Sequence, residues 1–199
     1  MDLYDRENDL KQKFNEIWNK LLRSESDYYS VMTDIDFIEM KKAVKNINDI
    51  FTCKTTLKFL DWTNNHLFLS PDIYMKTKRM VLSQKSGANG YDLKIDDNIN
   101  IIAEIKCNIV DPQIGRFKRE QRAQIEKDID RLLNGKLKVK IDVTDYFKFL
   151  VFYDFGEETK QAFRNLYRVK EFSDKYSGKL TEFTDQVISK EIVHVVFIK

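Results

Sequence analysis

The spacing of apolar side chains changes along the chain, and this change limits the possible folds more than any other feature. Residues 3–22 and 36–51 carry apolar side chains at intervals of three, four and seven, which predicts two amphipathic helices. Apolar residues alternate instead in Tyr91–Ile95 and Asn100–Ile109, on either side of an Asp-Asp-Asn turn. That alternation predicts a β-hairpin, so a helical first third is followed by a sheet.

Helical and extended patterns alternate beyond the hairpin. The spacing predicts a core strand over Phe147–Phe155, a final strand over Ile192–Ile198, and helices over 117–134, 157–170 and near 181–189. Ser70-Pro71-Asp72 resembles a helix start, but the segment after it fits a helix or a strand equally well. The whole pattern predicts an α/β fold.

We expect one domain over residues 1–199, because no repeat, low-complexity tract or linker divides the chain. Within it, residues 1–75 would form a mainly helical elaboration and residues 76–199 an α/β core. The net charge of +2 conceals an asymmetry: residues 1–39 hold ten acidic and five basic side chains, whereas the remainder holds 22 acidic and 29 basic ones. The predicted core is therefore the part suited to an anionic partner.

Histidine and cysteine are too scarce for several common sites. His66, His194, Cys53 and Cys107 are the only such residues and lie far apart in sequence, which excludes zinc fingers and Cys-ligated iron–sulfur clusters and disfavours a Ser-His-Asp triad. Any metal site should therefore use oxygen ligands and a hard cation. Two isolated cysteines and the absence of a signal or membrane-spanning segment lead us to expect a cytoplasmic protein without membrane contacts.

Three charged residues of the hairpin are predicted to share one sheet face. Glu104 and Lys106 have the same side-chain parity as Ile102, and a short hairpin brings Asp92 beside Glu104. Neighbouring carboxylates repel unless a cation lies between them, and a hard divalent cation would do so. An adjacent lysine suits phosphodiester hydrolysis. The alternative interpretation is an exposed hairpin with an ordinary cross-strand salt bridge.

Gly90-Tyr91-Asp92, eleven intervening residues and Glu104-Ile105-Lys106 resemble the motif of the PD-(D/E)XK nuclease superfamily, which has the restriction-endonuclease-like fold. Tyr91 stands where that motif has proline. The resemblance implies a mixed central sheet flanked by helices, with Mg²⁺ held by Asp92, Glu104 and the Ile105 carbonyl, Mn²⁺ as a substitute, and Lys106 as the catalytic lysine. Some members add an acid from the first helix, for which Glu7 is the candidate here.

The function implied by this resemblance is a Mg²⁺-dependent endonuclease of restriction or repair type, acting on DNA and forming a homodimer if it cuts both strands. A non-catalytic nucleic-acid-binding or interaction module with the same fold remains an alternative, as does a structure-specific, junction-resolving nuclease. The exonuclease subclass has Gln followed four residues later by Tyr. Here Gln121 precedes Ile125 and Gln124 precedes Asp128 at that spacing, which disfavours the subclass.

Residues that could contact nucleic acid lie before and after the hairpin. Gln84 and Lys85 precede a glycine-containing turn, and a basic group opens the helix that follows the hairpin: Arg116, Lys118, Arg119 and Arg122. Such groups either contact phosphate or form an ordinary solvated surface, and both interpretations remain open.

Overall fold

The structure is a computed structural model that describes residues 5–84, 90–110, 114–184 and 188–199. The chain divides into two compact units, Met1–Ile47 and Asn48–Lys199. This boundary differs from the expected division after residue 75, because Phe59 and Leu60 pack with strand residues in one apolar cluster. The segment from residue 48 to residue 75 therefore belongs with the sheet.

The first unit is helical. It contains α1 (Arg6–Leu22), α2 (Tyr28–Val31) and the beginning of α3 (Asp34–Leu67). The Asp5 carboxylate caps α1 by accepting the Asn8 N–H at 3.1 Å. The predicted helix over 3–22 is thus confirmed over its described residues, and the one over 36–51 is part of α3.

The second unit contains a mixed sheet of five strands in the order β1-β2-β3-β5-β4. Strand β1 is antiparallel to β2, and the other neighbouring strands pair in parallel. The strands are β1 (Leu93–Ile95), β2 (Ile101–Lys106), β3 (Phe147–Tyr153), β4 (Leu180–Glu182) and β5 (Val193–Ile198). Besides the part of α3 from Asn48 onward, the helices are α4 (Pro71–Ser83), α5 (Arg119–Asn134), α6 (Glu157–Tyr167) and α7 (Lys170–Tyr176). The expected α/β class is confirmed as a mixed sheet flanked by helices.

The two faces of the sheet pack against different helices. On one face, Ile101, Ala103 and Ile105 of β2 join side chains of α3 and α4. On the other, Ile102 joins side chains of α5, α6 and α7. Burial of alternate residues on opposite faces confirms the parity expected for β2.

Three elements either differ from the sequence-based prediction or decide between two predicted alternatives. The ambiguous segment after Ser70 is helix α4, begun by the Ser70 hydroxyl, which accepts the Ile73 N–H at 3.4 Å. The helix expected near 181–189 is wrong where the structure describes it, because Leu180–Glu182 pairs with β5 as a strand. Helix α7 occupies part of the polar connection expected after residue 170. None of the helices within the described ranges combines the length and apolar composition needed to cross a membrane.

Candidate active site

The candidate site lies at the edge of the sheet where the parallel strands end. Strand β1 runs antiparallel to β2, so the residue before β1 lies at the same edge as the end of β2. The register pairs Leu93 with Ala103, and one further step places Asp92 opposite Glu104. In open α/β sheets this carboxyl edge is where ligands commonly bind.

Asp92 immediately precedes β1, and its side chain accepts a hydrogen bond from the backbone of β2. Its Oδ2 accepts the backbone N–H of Ile105 at 2.7 Å. Burial raises the pKa of Asp92, while this hydrogen bond and the charge of Lys106 lower it. Because the N–H and C=O of one strand residue point to the same side, the Ile105 carbonyl also points to the side of β2 on which Asp92 lies.

Glu104 lies in the buried part of the sheet rather than on an exposed hairpin. The residue is 5% exposed, on the same face as Ile102. Burial, and secondarily the charge of Asp92, raise the pKa of Glu104 to about 7, against the opposing effect of Lys136. A buried carboxyl group with a pKa near neutrality and a specific charged neighbour is a feature of functional sites.

Lys136 contacts Glu104 and was not identified by the sequence analysis. Its Nζ lies 2.5 Å from Glu104 Oε1 and donates to the Gly90 carbonyl, and it lies 4.6 Å from the centre of the Tyr91 ring. Within the described part of the chain, Oε1 nevertheless receives no hydrogen bond of normal geometry. Lys136 follows Gly135, whose φ of 87° and ψ of 167° end α5 in a conformation restricted almost entirely to glycine.

Tyr91 does not share the face of Leu93, contrary to the parity expected from the alternating pattern. Tyr91 lies in the apolar cluster beneath α5, whereas Leu93 lies in the opposite one. The reason is that Tyr91 precedes the first paired residue of β1, and its hydroxyl donates to the Arg131 carbonyl of α5 at 3.1 Å.

Lys106 points to α5, where it forms an ion pair with Asp128. Asp128 is 1% exposed, and it also binds Arg131 Nη1 at 2.8 Å and Gln124 Nε2 at 3.2 Å. In the sequence, Asp128 stands out only as a departure from the exonuclease motif. A carboxylate among the apolar positions Ile125, Ile129 and Leu132 of one helix was the available signal for a buried charge.

The donors present at this edge fit a hard divalent cation. Two carboxylates and a backbone carbonyl supply oxygen ligands, and Mg²⁺ commonly binds one or two carboxylates and completes its shell with water and substrate phosphate. Among the described residues, no three His, Cys, Asp or Glu side chains are grouped to hold a metal ion, so the set is limited to Asp92, Glu104 and the Ile105 carbonyl. The buried Glu104 carboxyl group beside Asp92, whose charge adds to the raised pKa of Glu104, is the observation that favours the fit.

The remaining predicted site residues belong to other segments of the chain. Glu7 is exposed on α1 of the first unit, so its role as a fourth ligand remains a prediction. Gln84 is exposed at the end of α4, and Lys85 lies outside the described residues. The basic group at the start of α5 consists of three exposed residues, Arg116, Lys118 and Arg119, and the half-buried Arg122.

A groove of about 790 Å³ runs along α5 and α7 beside this basic group. Its basic lining residues are Arg119, Arg122, Lys127, Arg131 and Lys175, and its acidic ones are Glu126, Asp130 and Glu171. Arg131 lines the groove and also binds Asp128. The groove and the ion pair of Lys106 therefore share one side chain of α5.

No protein-family model, curated protein or solved structure matches this chain. The functional interpretation therefore depends on the chemistry of Asp92, Glu104 and Lys106 at the carboxyl edge of the sheet.

Proposed function

We propose that this chain is a Mg²⁺-dependent endonuclease that hydrolyses DNA phosphodiester bonds and has a restriction-endonuclease-like fold. The observation that carries the proposal is the buried Glu104 opposite Asp92 at the carboxyl edge of the sheet, with a pKa of about 7. Lys106 projects from the same strand face two residues further on.

The order of elements supports the proposed fold. The β1–β2 hairpin carries the acid and the Glu-x-Lys sequence, α5 follows it, and β3 then pairs in parallel with β2. This is the order that the sequence resemblance leads us to expect. A restriction-type or repair-type enzyme cutting both strands would act as a homodimer, since one such site cuts one strand.

The residues of the site would have different chemical roles. Asp92, Glu104 and the Ile105 carbonyl would hold Mg²⁺, with Mn²⁺ as a substitute. The metal, when bound, polarises the phosphate and lowers the pKa of a water molecule. Lys106, oriented by Asp128, would hold that water or offset the negative charge that develops on the phosphoryl oxygens.

The surface beside α5 supports a polyanionic substrate. Arg119 and Arg122 lie at the start of α5 and line the groove. Side chains of this kind bind phosphates without reading sequence and so set the position of the duplex. Recognition of a particular DNA sequence would depend on other contacts.

One observation favours the alternative of a non-catalytic nucleic-acid-binding or interaction module. Glu104 and Asp128 each already contact a lysine of the chain. The buried carboxylates are thus paired without a metal ion, as a module that retained only the fold would require.

A cleavage assay separates the two proposals. The chain is incubated with supercoiled, linear, branched and single-stranded DNA, in Mg²⁺ and in EDTA, alongside the site variants Glu104→Gln and Lys106→Met and the surface variants Glu171→Gln and Glu191→Gln. We expect Mg²⁺-dependent cleavage that both site variants lose and that Glu191→Gln, an exposed substitution outside the groove, keeps; Glu171→Gln removes an acidic side chain from the groove and tests the binding surface instead. Wild-type cleavage by either site variant would contradict the proposal, and DNA binding without Mg²⁺ binding in calorimetry would establish the module.

A further inference from the structure

Lys136 contacts the same carboxylate that the proposed metal site requires. Its Nζ lies 2.5 Å from Glu104 Oε1, and the side chain is 15% exposed. The Gly90 carbonyl and the Tyr91 ring surround the ammonium on its other sides. Two neighbouring residues that precede β1 thus hold this cation against Glu104.

Stability alone does not account for this arrangement. A buried ion pair is often no more stabilising than apolar side chains of similar volume, because both charges lose their hydration. The backbone before Lys136 also adopts the glycine-restricted conformation of Gly135. The Lys136 ammonium therefore reaches Glu104 through a turn at Gly135 that residues other than glycine could rarely form.

We propose that Lys136 is the resident cation of Glu104 in the metal-free protein and that a divalent cation must displace it. This inference rests on the proposed function, since it requires a metal site at Asp92 and Glu104. Mg²⁺ binds carboxylate oxygens at about 2.0–2.1 Å, and the Lys136 ammonium already occupies the approach to Oε1. The two cations repel each other at that distance, so only one of them contacts Oε1 at a time.

Displacement makes Lys136 a positioning residue that sets the metal affinity of the site. The ammonium holds the buried Glu104 carboxyl group in place until the metal arrives. After displacement, the Gly90 carbonyl and the Tyr91 ring remain as partners for the ammonium. The metal then binds more weakly than it would if Glu104 had no competing partner.

Direct measurement of Mn²⁺ binding tests this role without reference to activity. Calorimetry at one fixed pH compares the wild type with Lys136→Met and with Lys138→Met, an exposed lysine two residues further on that gives the same change of net charge. We expect Lys136→Met to bind Mn²⁺ at least ten times more tightly than the wild type, and Lys138→Met to bind as the wild type does.

The outcomes separate this inference from the proposed function. Equal Mn²⁺ affinity of Lys136→Met and the wild type overturns the role of Lys136 alone. Absence of Mn²⁺ binding in the wild type and in folded Lys136→Met overturns the metal site, and with it both proposals.

A second measurement uses the wild-type chain, because Lys136→Met leaves Glu104 unpaired and could fail to fold. Lysine acetylation is followed by mass spectrometry with and without saturating Mn²⁺. We expect Mn²⁺ to raise the acetylation rate of Lys136 at least threefold and to leave that of Lys138 unchanged. An unchanged rate at Lys136 while Mn²⁺ is bound overturns displacement.

Discussion

The Asp92 carboxylate takes the place of a backbone acceptor for Ile105, whose N–H it binds at 2.7 Å. Strand β1 begins at Leu93, so no carbonyl of β1 is paired at this position. One side chain therefore completes the pairing of β2 with one oxygen, and its second oxygen is the proposed ligand of the metal ion. Its structural and its proposed chemical roles can be separated by substitution.

Asp92→Ala and Asp92→Asn should differ in stability and agree in metal binding. Alanine leaves the N–H of the buried Ile105 without an acceptor, which costs about 1–3 kcal/mol of unfolding free energy. Asparagine keeps a carbonyl acceptor, so the cost should stay below about 1 kcal/mol. Both should lose Mg²⁺ binding. Urea denaturation and calorimetry measure the two quantities, and equal stabilities of the two variants would refute the assigned hydrogen bond.

Glu104 should make the folded protein less stable as the pH rises. Its pKa is raised from 4.5 to about 7 in the folded chain, so the folded state binds the proton more tightly than the unfolded state does. The resulting penalty is absent below pH 4.5, grows as the pH rises from there, and is complete above pH 7. It amounts to about 3 kcal/mol at its largest.

Glu104→Gln should remove this dependence. Between pH 5 and pH 8 the unfolding free energy of the wild type should fall by roughly 2–3 kcal/mol more than that of the variant. The raised pKa of Asp92 acts in the same direction and is present in both proteins. Urea denaturation at the two pH values gives the difference, with Glu171→Gln as the control. Parallel stability curves for wild type and Glu104→Gln would contradict the burial of an ionisable Glu104.

Lys106 and Asp128 should be energetically coupled. Asp128→Ala leaves Lys106 and Arg131 without their carboxylate, and breaking a buried pair in this way costs about 3–5 kcal/mol. In a cycle with Lys106→Met and Asp128→Asn, the coupling should be about 1–3 kcal/mol. Arg131→Ala, whose side chain is 35% exposed, should cost about 1 kcal/mol or less. Additive effects of the two buried substitutions would show that the ion pair does not form.

Arg119 and Arg122 should contribute to DNA affinity without contributing to sequence preference. Replacement of either by alanine should weaken binding to all sequences alike and lower the salt dependence by about one released counterion. Fluorescence anisotropy in EDTA, at several salt concentrations, measures both effects. Lys140→Ala removes an exposed charge outside the groove and is the control. If the affinity of both arginine variants depends on salt as that of the wild type does, the DNA does not bind in this groove.

The parts of this structure that the sequence predicts are those set by local periodicity. Alternation in β2 separates Ile102 and Glu104 from Ile101 and Ile105, because successive strand residues face opposite ways. The short turn then brings Asp92 opposite Glu104. Both steps depend only on residues within the hairpin, so they can be predicted without knowledge of the rest of the fold.

The partners of these residues depend on packing between distant segments. Lys136 and Asp128 reach Glu104 and Lys106 only because α5 lies over this face of the sheet. Strand β4 depends on β5 in the same way: its three residues are too few for a periodic pattern. No local pattern specifies such contacts.

Helix α5 presents three different faces within 16 residues. Ile129 is directed to the core, Asp128 to Lys106, and Arg122 to the groove. One residue inserted between Arg122 and Asp128 would turn everything beyond it by about 100°, so that Arg122 and the pair Asp128 and Ile129 could no longer all face their present partners. Point substitutions can alter these faces one at a time, but a change of length cannot, so Arg119–Asn134 is a segment in which the chain can diverge in composition while keeping its length.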